Sequence, residues 1–183
     1  GQLEHPNIVP VYELGERGDG TLYYSMKLVR GHTLASALKG CGGLADRLGL
    51  LAHYVDLCQA IAYAHSRGVI HRDIKTENVM LGEFGETVVL DWGLAKVRGQ
   101  QELRGPATSR ELLLLASEET GAGQTVDGMA MGTPAYMSPE QAAGRNAEID
   151  RPTDVYQLGC ILYEILTLHR AFDGTGYALM AKV

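Results

Sequence analysis

The sequence predicts an α+β domain in which a short strand-rich part precedes a larger, mostly helical part. Three observations carry this. Two runs near the start, Val9 to Glu13 and Thr21 to Val29, are rich in β-branched and aromatic residues and flank the turn Gly15-Glu16-Arg17-Gly18-Asp19-Gly20. Two long apolar stretches, Arg47 to Ser66 and Asp154 to Thr167, have the length and pattern of buried helices. Between them lie short strand-like runs: Val69-Ile70, Val79 to Leu81 and Thr87 to Leu90.

Each element has a local reason. Gly31-His32-Thr33 ends the second strand, and Thr33 is placed to cap a short helix over Leu34 to Lys39. In the stretch Arg47 to Ser66, the apolar residues Leu48, Leu51, Val55, Cys58 and Ala62 fall near a 3.6-residue period. Leu57 and Ile61 widen that stripe, and Gly68 supplies a C-terminal stop. From Lys96 to Met131 the chain turns rich in Gly, Ser, Thr, Arg and Glu and loses periodicity, with Ser109 to Ser117 as a helical turn or two inside it. A loop of that length in a compact domain is functional or disordered. Ser138-Pro139-Glu140 opens another short helix.

Composition narrows the class. The 183 residues suffice for one domain with a hydrophobic core, and 45% hydrophobic with 21% charged residues is ordinary for a globular protein. A formal net charge of −6 argues against a nucleic-acid partner, because phosphate contacts need clustered Lys and Arg. Cys41, Cys58 and Cys160 are widely spaced and form no CxxC pair, so they read as reduced thiols of a cytoplasmic domain. No apolar run approaches the roughly 20 residues that cross a membrane. The start at Gly1 without Met, and the uncapped stretch Leu179 to Val183, lead to the expectation that the chain is cut at both ends.

The chemistry concentrates in Val69 to Leu94. His71-Arg72-Asp73-Ile74-Lys75-Thr76-Glu77-Asn78 sits on a non-helical segment between strands, and Asp91-Trp92-Gly93 follows the next hairpin. Mg²⁺ prefers hard oxygen ligands and takes few from protein; Asn78 offers an amide oxygen and Asp91 a carboxylate. Asp73 can orient a hydroxyl and accept its proton, and Lys75 can neutralise charge on a transferred group. These residue types in this order meet the needs of phosphoryl transfer. The bland readings are a packed core histidine at His71, turn residues at Asp73 and Asp91, and a helix N-cap at Asp154. A metal-hydrolase cluster of His65, His71 and Asp73 lacks a helical i,i+4 pair and further ligands at suitable spacing.

HRDIKTEN followed by DWG resembles the catalytic loop and metal-binding turn of eukaryotic-like, bacterial-type Ser/Thr protein kinases. Gly132 to Gln141 (GTPAYMSPEQ) resembles the end of that family's activation segment, and Asp154 to Gly159 (DVYQLG) its central helix. His5-Pro6-Asn7-Ile8-Val9 resembles the turn after its regulatory helix. The resemblance implies a two-lobe fold: residues 1–29 a remnant of the small lobe and hinge, 30–183 the large lobe lacking its last helices, and 91–140 the activation segment. It implies transfer of the ATP γ-phosphate to Ser/Thr hydroxyls of protein substrates, with ATP and Mg²⁺ bound. Asp73 would be the base, Asn78 and Asp91 the metal ligands, and Lys75 the γ-phosphate contact. Thr133 would hydrogen-bond toward Asp73 and Lys75. Met26 would be the gatekeeper, the backbone of Lys27 and Val29 would meet adenine, and Met80 would pack beneath it. His71 and Trp92 would stack, with Val11 above them, and Asp154 would anchor the catalytic loop through backbone N–H groups. Arg72 resembles the type that reads a phosphorylated activation loop, for which Thr108, Ser109, Ser117, Thr120 and Thr125 are candidates.

Two residues depart from the pattern: Trp92 stands for the usual Phe, and Lys27 for a commoner acidic residue. A Gly-rich phosphate loop, a strand lysine and its partner glutamate are not found in the 183 residues, so the fragment alone is expected to be inactive. Glu140 is expected to lack its usual arginine. The alternative is a pseudokinase scaffold that binds nucleotide or partners without catalysis.

Overall fold

The computed structural model describes residues 3–19, 21–92, 95–97 and 133–172. Residues 98–132, with Thr108, Ser109, Ser117, Thr120 and Thr125, lie outside the described residues, as do Gly93, Leu94 and residues 173–183.

A two-stranded antiparallel hairpin comes first, β1 (Val11–Glu16) against β2 (Leu22–Met26). Both strands differ from the expected ranges. Val9 is buried and gives its N–H to Val89 O (3.1 Å), so it joins the chain to a later strand instead of opening the hairpin. The second strand stops at Met26, where Lys27 N turns to Pro10 O (3.0 Å).

A three-stranded sheet of order β3-β5-β6 follows, with β3 Gly31–Thr33, β5 Val79–Gly82 and β6 Thr87–Val89. β4 (Val69–Ile70) pairs with β7 (Lys96–Val97), a strand the sequence reading placed in the long loop. Gly31 has φ +136° where it crosses β5, and a Cβ there would collide with Leu81 O, so only glycine fits. Thr33 caps α1 (Leu34–Gly40) by accepting from Ser36 N at 3.1 Å, as expected.

The expected long helix is two. α2 (Leu44–Gly49) ends at Gly49, and α3 (Leu51–Ser66) begins after Leu50. Glycine disfavours continuation through the junction. Gly68 follows α3 at φ +76° and stops it. The expected apolar stripe packs in part: Leu57 and Ile61 are in the core, and Leu51 and Cys58 lie against it. Leu48 and Val55 are 48% and 52% exposed and Ala62 is exposed, while Leu57, Ala60, Ile61 and Ala64 are buried. Apolar residues lie nearly all round α3, so its period alone does not fix its inner face.

That inner face meets α5 (Arg151–Thr167), which starts three residues earlier than expected. Asp150 is its N-cap, and Pro152 lies in its first turn. Between them runs α4 (Pro139–Ala142), opened by Ser138. Leu57, Ala60 and Ile61 of α3 join Leu158, Ile161 and Ile165 of α5 in one core, with Ile74, Val79 and Tyr136. A polar seam ties α3 to β6: the buried Thr87 hydroxyl donates to Asp56 Oδ2 (3.0 Å) and meets His53 Nδ1 (2.8 Å). All three cysteines are free; burial raises the Cys58 thiol and pushes Cys160 up to about 11. No helix among the described residues is long and apolar enough to cross a membrane.

Candidate active site

The segment His71 to Asn78 runs between β4 and β5 across the top of the α3–α5 core. Nearly all of it is buried, including Asp73. Its first residues are held from α5. Asp154, fully buried on α5, accepts His71 N (2.9 Å) and Arg72 N (2.8 Å) on its two carboxylate oxygens. His65 Nε2 of α3 lies 2.7 Å from the same Asp154 Oδ2. Asp154 thus anchors the loop as expected; the N-cap of its helix is Asp150. With the two N–H groups held, Arg72 sits at φ +72°, which L-residues rarely adopt.

Asp73 is the hub. Its Oδ1 accepts from Thr133 N (3.0 Å) and Thr133 Oγ1 (3.1 Å), and its Oδ2 from Lys75 Nζ (2.9 Å). Lys75 Nζ also reaches Thr133 Oγ1 at 2.9 Å. Asn78 donates through Nδ2 to Asp73 O (3.0 Å), with Asp73 Oδ2 at 3.5 Å. With the amide nitrogen so committed, Oδ1 is the Asn78 atom with ligand capacity. Leu90 N donates to Asn78 O (2.8 Å), which brings the backbone before Asp91 alongside Asn78. Asp91 is exposed at φ +55°, and its charge, after burial, helps raise the nearby Tyr24 phenol. Asp73, Lys75, Asn78 and Thr133, from segments some 60 residues apart, therefore meet at one carboxylate.

The His71 and Trp92 rings lie 4.6 Å apart, tilted by 54°. Trp92 Nε1 donates to Val89 O (3.3 Å), which satisfies the polar atom that the indole adds. Val11, expected above this pair, is instead exposed at the start of β1. Met26 and Lys27 are exposed, and Val29 and Met80 half-buried, near the hairpin-to-β3 connection and on β5. The Lys27 N–H is taken by Pro10 O, so only its carbonyl could face a ligand.

The sequence matches the protein kinase domain family over residues 1–181. The chain belongs to the protein kinase domain family. The kinase domain is 42% identical over 185 aligned residues to serine/threonine-protein kinase PknD of Protochlamydia amoebophila. That alignment covers 93% of this chain and 18% of the relative. It is 38% identical to PknD of Chlamydia pneumoniae, covering 91% of this chain and again 18% of the relative. The chain thus spans less than a fifth of the length of these relatives.

Sequence reasoning missed several polar groups of the kinase domain. Gln141 and Gln157, both buried, contact the loop backbone beside Asp73. Nothing in the sequence pointed to Gln141, and Gln157 showed only as a polar residue within an apolar helix, with no sign of what it bonds. Thr76 Oγ1 lies 2.9 Å from the Tyr136 hydroxyl, which donates to Glu164 Oε2 at 2.6 Å. Burial, then the Glu164 bond, raise that phenol. Glu140, expected to stand unpaired, bonds the Thr153 hydroxyl. Burial pushes its carboxyl up, but hydrogen bonds from Thr153, its own N–H and Ser138, with Arg145 nearby, hold it below 4.5. His65 and His71 do not form a metal cluster: one ring meets Asp154 and the other Leu90 O (3.1 Å).

Proposed function

We propose that this kinase domain, in its whole protein, transfers the γ-phosphate of ATP to Ser or Thr hydroxyls of protein substrates. The observation that carries the reading is the set of donors gathered on Asp73 by Lys75, Thr133 and Asn78 in a chain of this family. Residues 1–29 are read as part of the small lobe and hinge, 30–183 as large lobe and 91–140 as activation segment. The names of the relatives favour serine/threonine specificity, and a cytoplasmic setting suits the free thiols.

Asp73 is the base. A substrate hydroxyl entering at its carboxylate is oriented by it and loses its proton to it as the oxygen attacks phosphorus. Lys75, bonded to both Asp73 and Thr133, would offset the charge of an incoming phosphoryl group. Thr133 keeps the Asp73 carboxylate turned toward the loop mouth. Met26, the Lys27 carbonyl, Val29 and Met80 form the adenine wall.

Asn78 Oδ1 and the Asp91 carboxylate would hold Mg²⁺, which needs few protein oxygens and takes the rest from phosphate and water. When bound, the ion supplies neutralisation of phosphate charge.

The test is Asp73→Asn in the full-length protein. Phosphate transfer should fall by about 10²–10⁴-fold while ATP binding stays within about twofold. Wild-type turnover in the variant would overturn the base assignment; a wild-type protein that binds nucleotide but transfers no phosphate would point to a scaffold instead.

A further inference from the structure

The two peptide groups that flank Asp73 are held by one side chain. Gln157 Oε1 accepts the N–H of Ile74, the residue after Asp73, at 2.8 Å. Its Nε2 donates to the carbonyl of Arg72, the residue before, at 2.9 Å. An amide has this donor–acceptor pair at fixed spacing, so it mimics a strand edge and brackets one residue. Gln157 is 1% exposed and belongs to the buried face of α5 with Asp154, Leu158, Ile161 and Ile165. The only polar side chains on that face, apart from Thr153, address the loop.

A second amide completes the arrangement. Gln141 of α4 donates through Nε2 to the same Arg72 O at 2.7 Å. Its Oε1 accepts from Gln157 Nε2 (3.0 Å), Ser138 N (3.1 Å) and Ser138 Oγ (3.2 Å). Arg72 O thus has both lone pairs engaged by amides from two helices. All of these atoms belong to buried residues, where a lost partner is costly.

We infer that Gln157, backed by Gln141, is the positioning residue that fixes the backbone on both sides of Asp73 and makes its orientation depend on how α4 docks. It touches no reacting atom. Asp154 fixes the N–H groups of His71 and Arg72; Gln157 fixes the next carbonyl and the next N–H but one. Asp154 holds the entry to the loop; the Arg72–Asp73 and Asp73–Ile74 peptides have bonds from within the loop, Asp73 N to His71 Nδ1 (3.3 Å) and Asn78 Nδ2 to Asp73 O (3.0 Å), and Gln157 ties both to α5. Because Gln141 follows Ser138-Pro139-Glu140 directly, undocking α4 would strip Arg72 O of one donor and Gln157 of its neighbour. The inference rests on Asp73 being the base.

The experiment uses the full-length protein with Gln157→Met, which keeps the volume and deletes both bonds, and Gln157→Glu. The glutamate can still accept from Ile74 N but presents an oxygen to Arg72 O and to Gln141 Oε1. Both variants should lower kcat by about 10–100-fold with KM for ATP within about twofold, as misplacement of a reacting group does. Amide exchange at Ile74 should rise by about tenfold or more in Gln157→Met and stay near wild type in Gln157→Glu. Wild-type kcat in both variants, equal losses of kcat and ATP affinity, failure of both to fold, or unchanged Ile74 exchange in Gln157→Met would each overturn the inference. Asp73→Asn run in parallel separates the two readings. If it retains turnover the base reading fails, while Ile74 exchange still reports on the bracket.

Discussion

The segment His71–Asn78 and the hairpin β1–β2 are held in opposite ways. The first is mostly buried and carries bonds from α4, α5 and Thr133 on its backbone and side chains, with His65 of α3 behind Asp154. The hairpin is held by its own ladder, by Lys27 N on Pro10 O and by local turn bonds such as Thr21 N on Asp19 Oδ1 (2.9 Å). Tyr12 and Leu28 are 67% and 79% exposed. The contrast teaches that the positions expected to do chemistry are over-determined by buried polar groups. The hairpin beside the wall expected to meet adenine is fixed, among the described residues, mainly by backbone pairing.

The sharpest way to break that contrast is Asp154→Ala. It leaves the buried N–H groups of His71 and Arg72 and the His65 ring without an acceptor. Unfolding free energy in urea should drop by about 3–5 kcal/mol. A loss under about 1 kcal/mol would mean the loop is held elsewhere.

A middle-sized effect belongs to Glu140, at the edge of the buried network. Its folded carboxyl lies below the ordinary 4.5, so its contribution is fully present above the unfolded value and fades as pH falls through the folded one. Glu140→Gln should therefore cost stability at neutral pH and flatten the acid side of the stability profile below about 4.5. A variant whose acid limb parallels the wild type would contradict the assignment.

The smallest effect sharpens the other side. Leu28→Ser in the exposed connection should change stability by no more than about 0.5 kcal/mol. A larger loss in thermal unfolding would show that the hairpin side is packed more tightly than its exposure implies.

What was legible in the sequence follows the same division. The loop His71 to Asn78 was legible because its polar residues are contiguous and their chemistry is ordered along the chain. Thr33, Gly68 and Ser138 were legible because capping is local. The inner face of α3 was legible only in part: Leu57 and Ile61 belong to it as expected, but Leu48, Val55 and Ala62 are as apolar and are exposed. Gln141 and Gln157 were not legible, because their partners are peptide groups, which carry no sequence signal. The pairing of β7 with β4 was hidden for a related reason: two residues make no period.

The seam between α3 and β6 has one more property. A hydroxyl owns a single hydrogen, and that of Thr87 goes to Asp56, whose carboxylate cannot donate. The hydrogen between Thr87 and His53 must then come from the imidazole, at Nδ1. Proton counting alone thus selects one tautomer for His53, with its Nδ1 hydrogen at the join of helix to sheet.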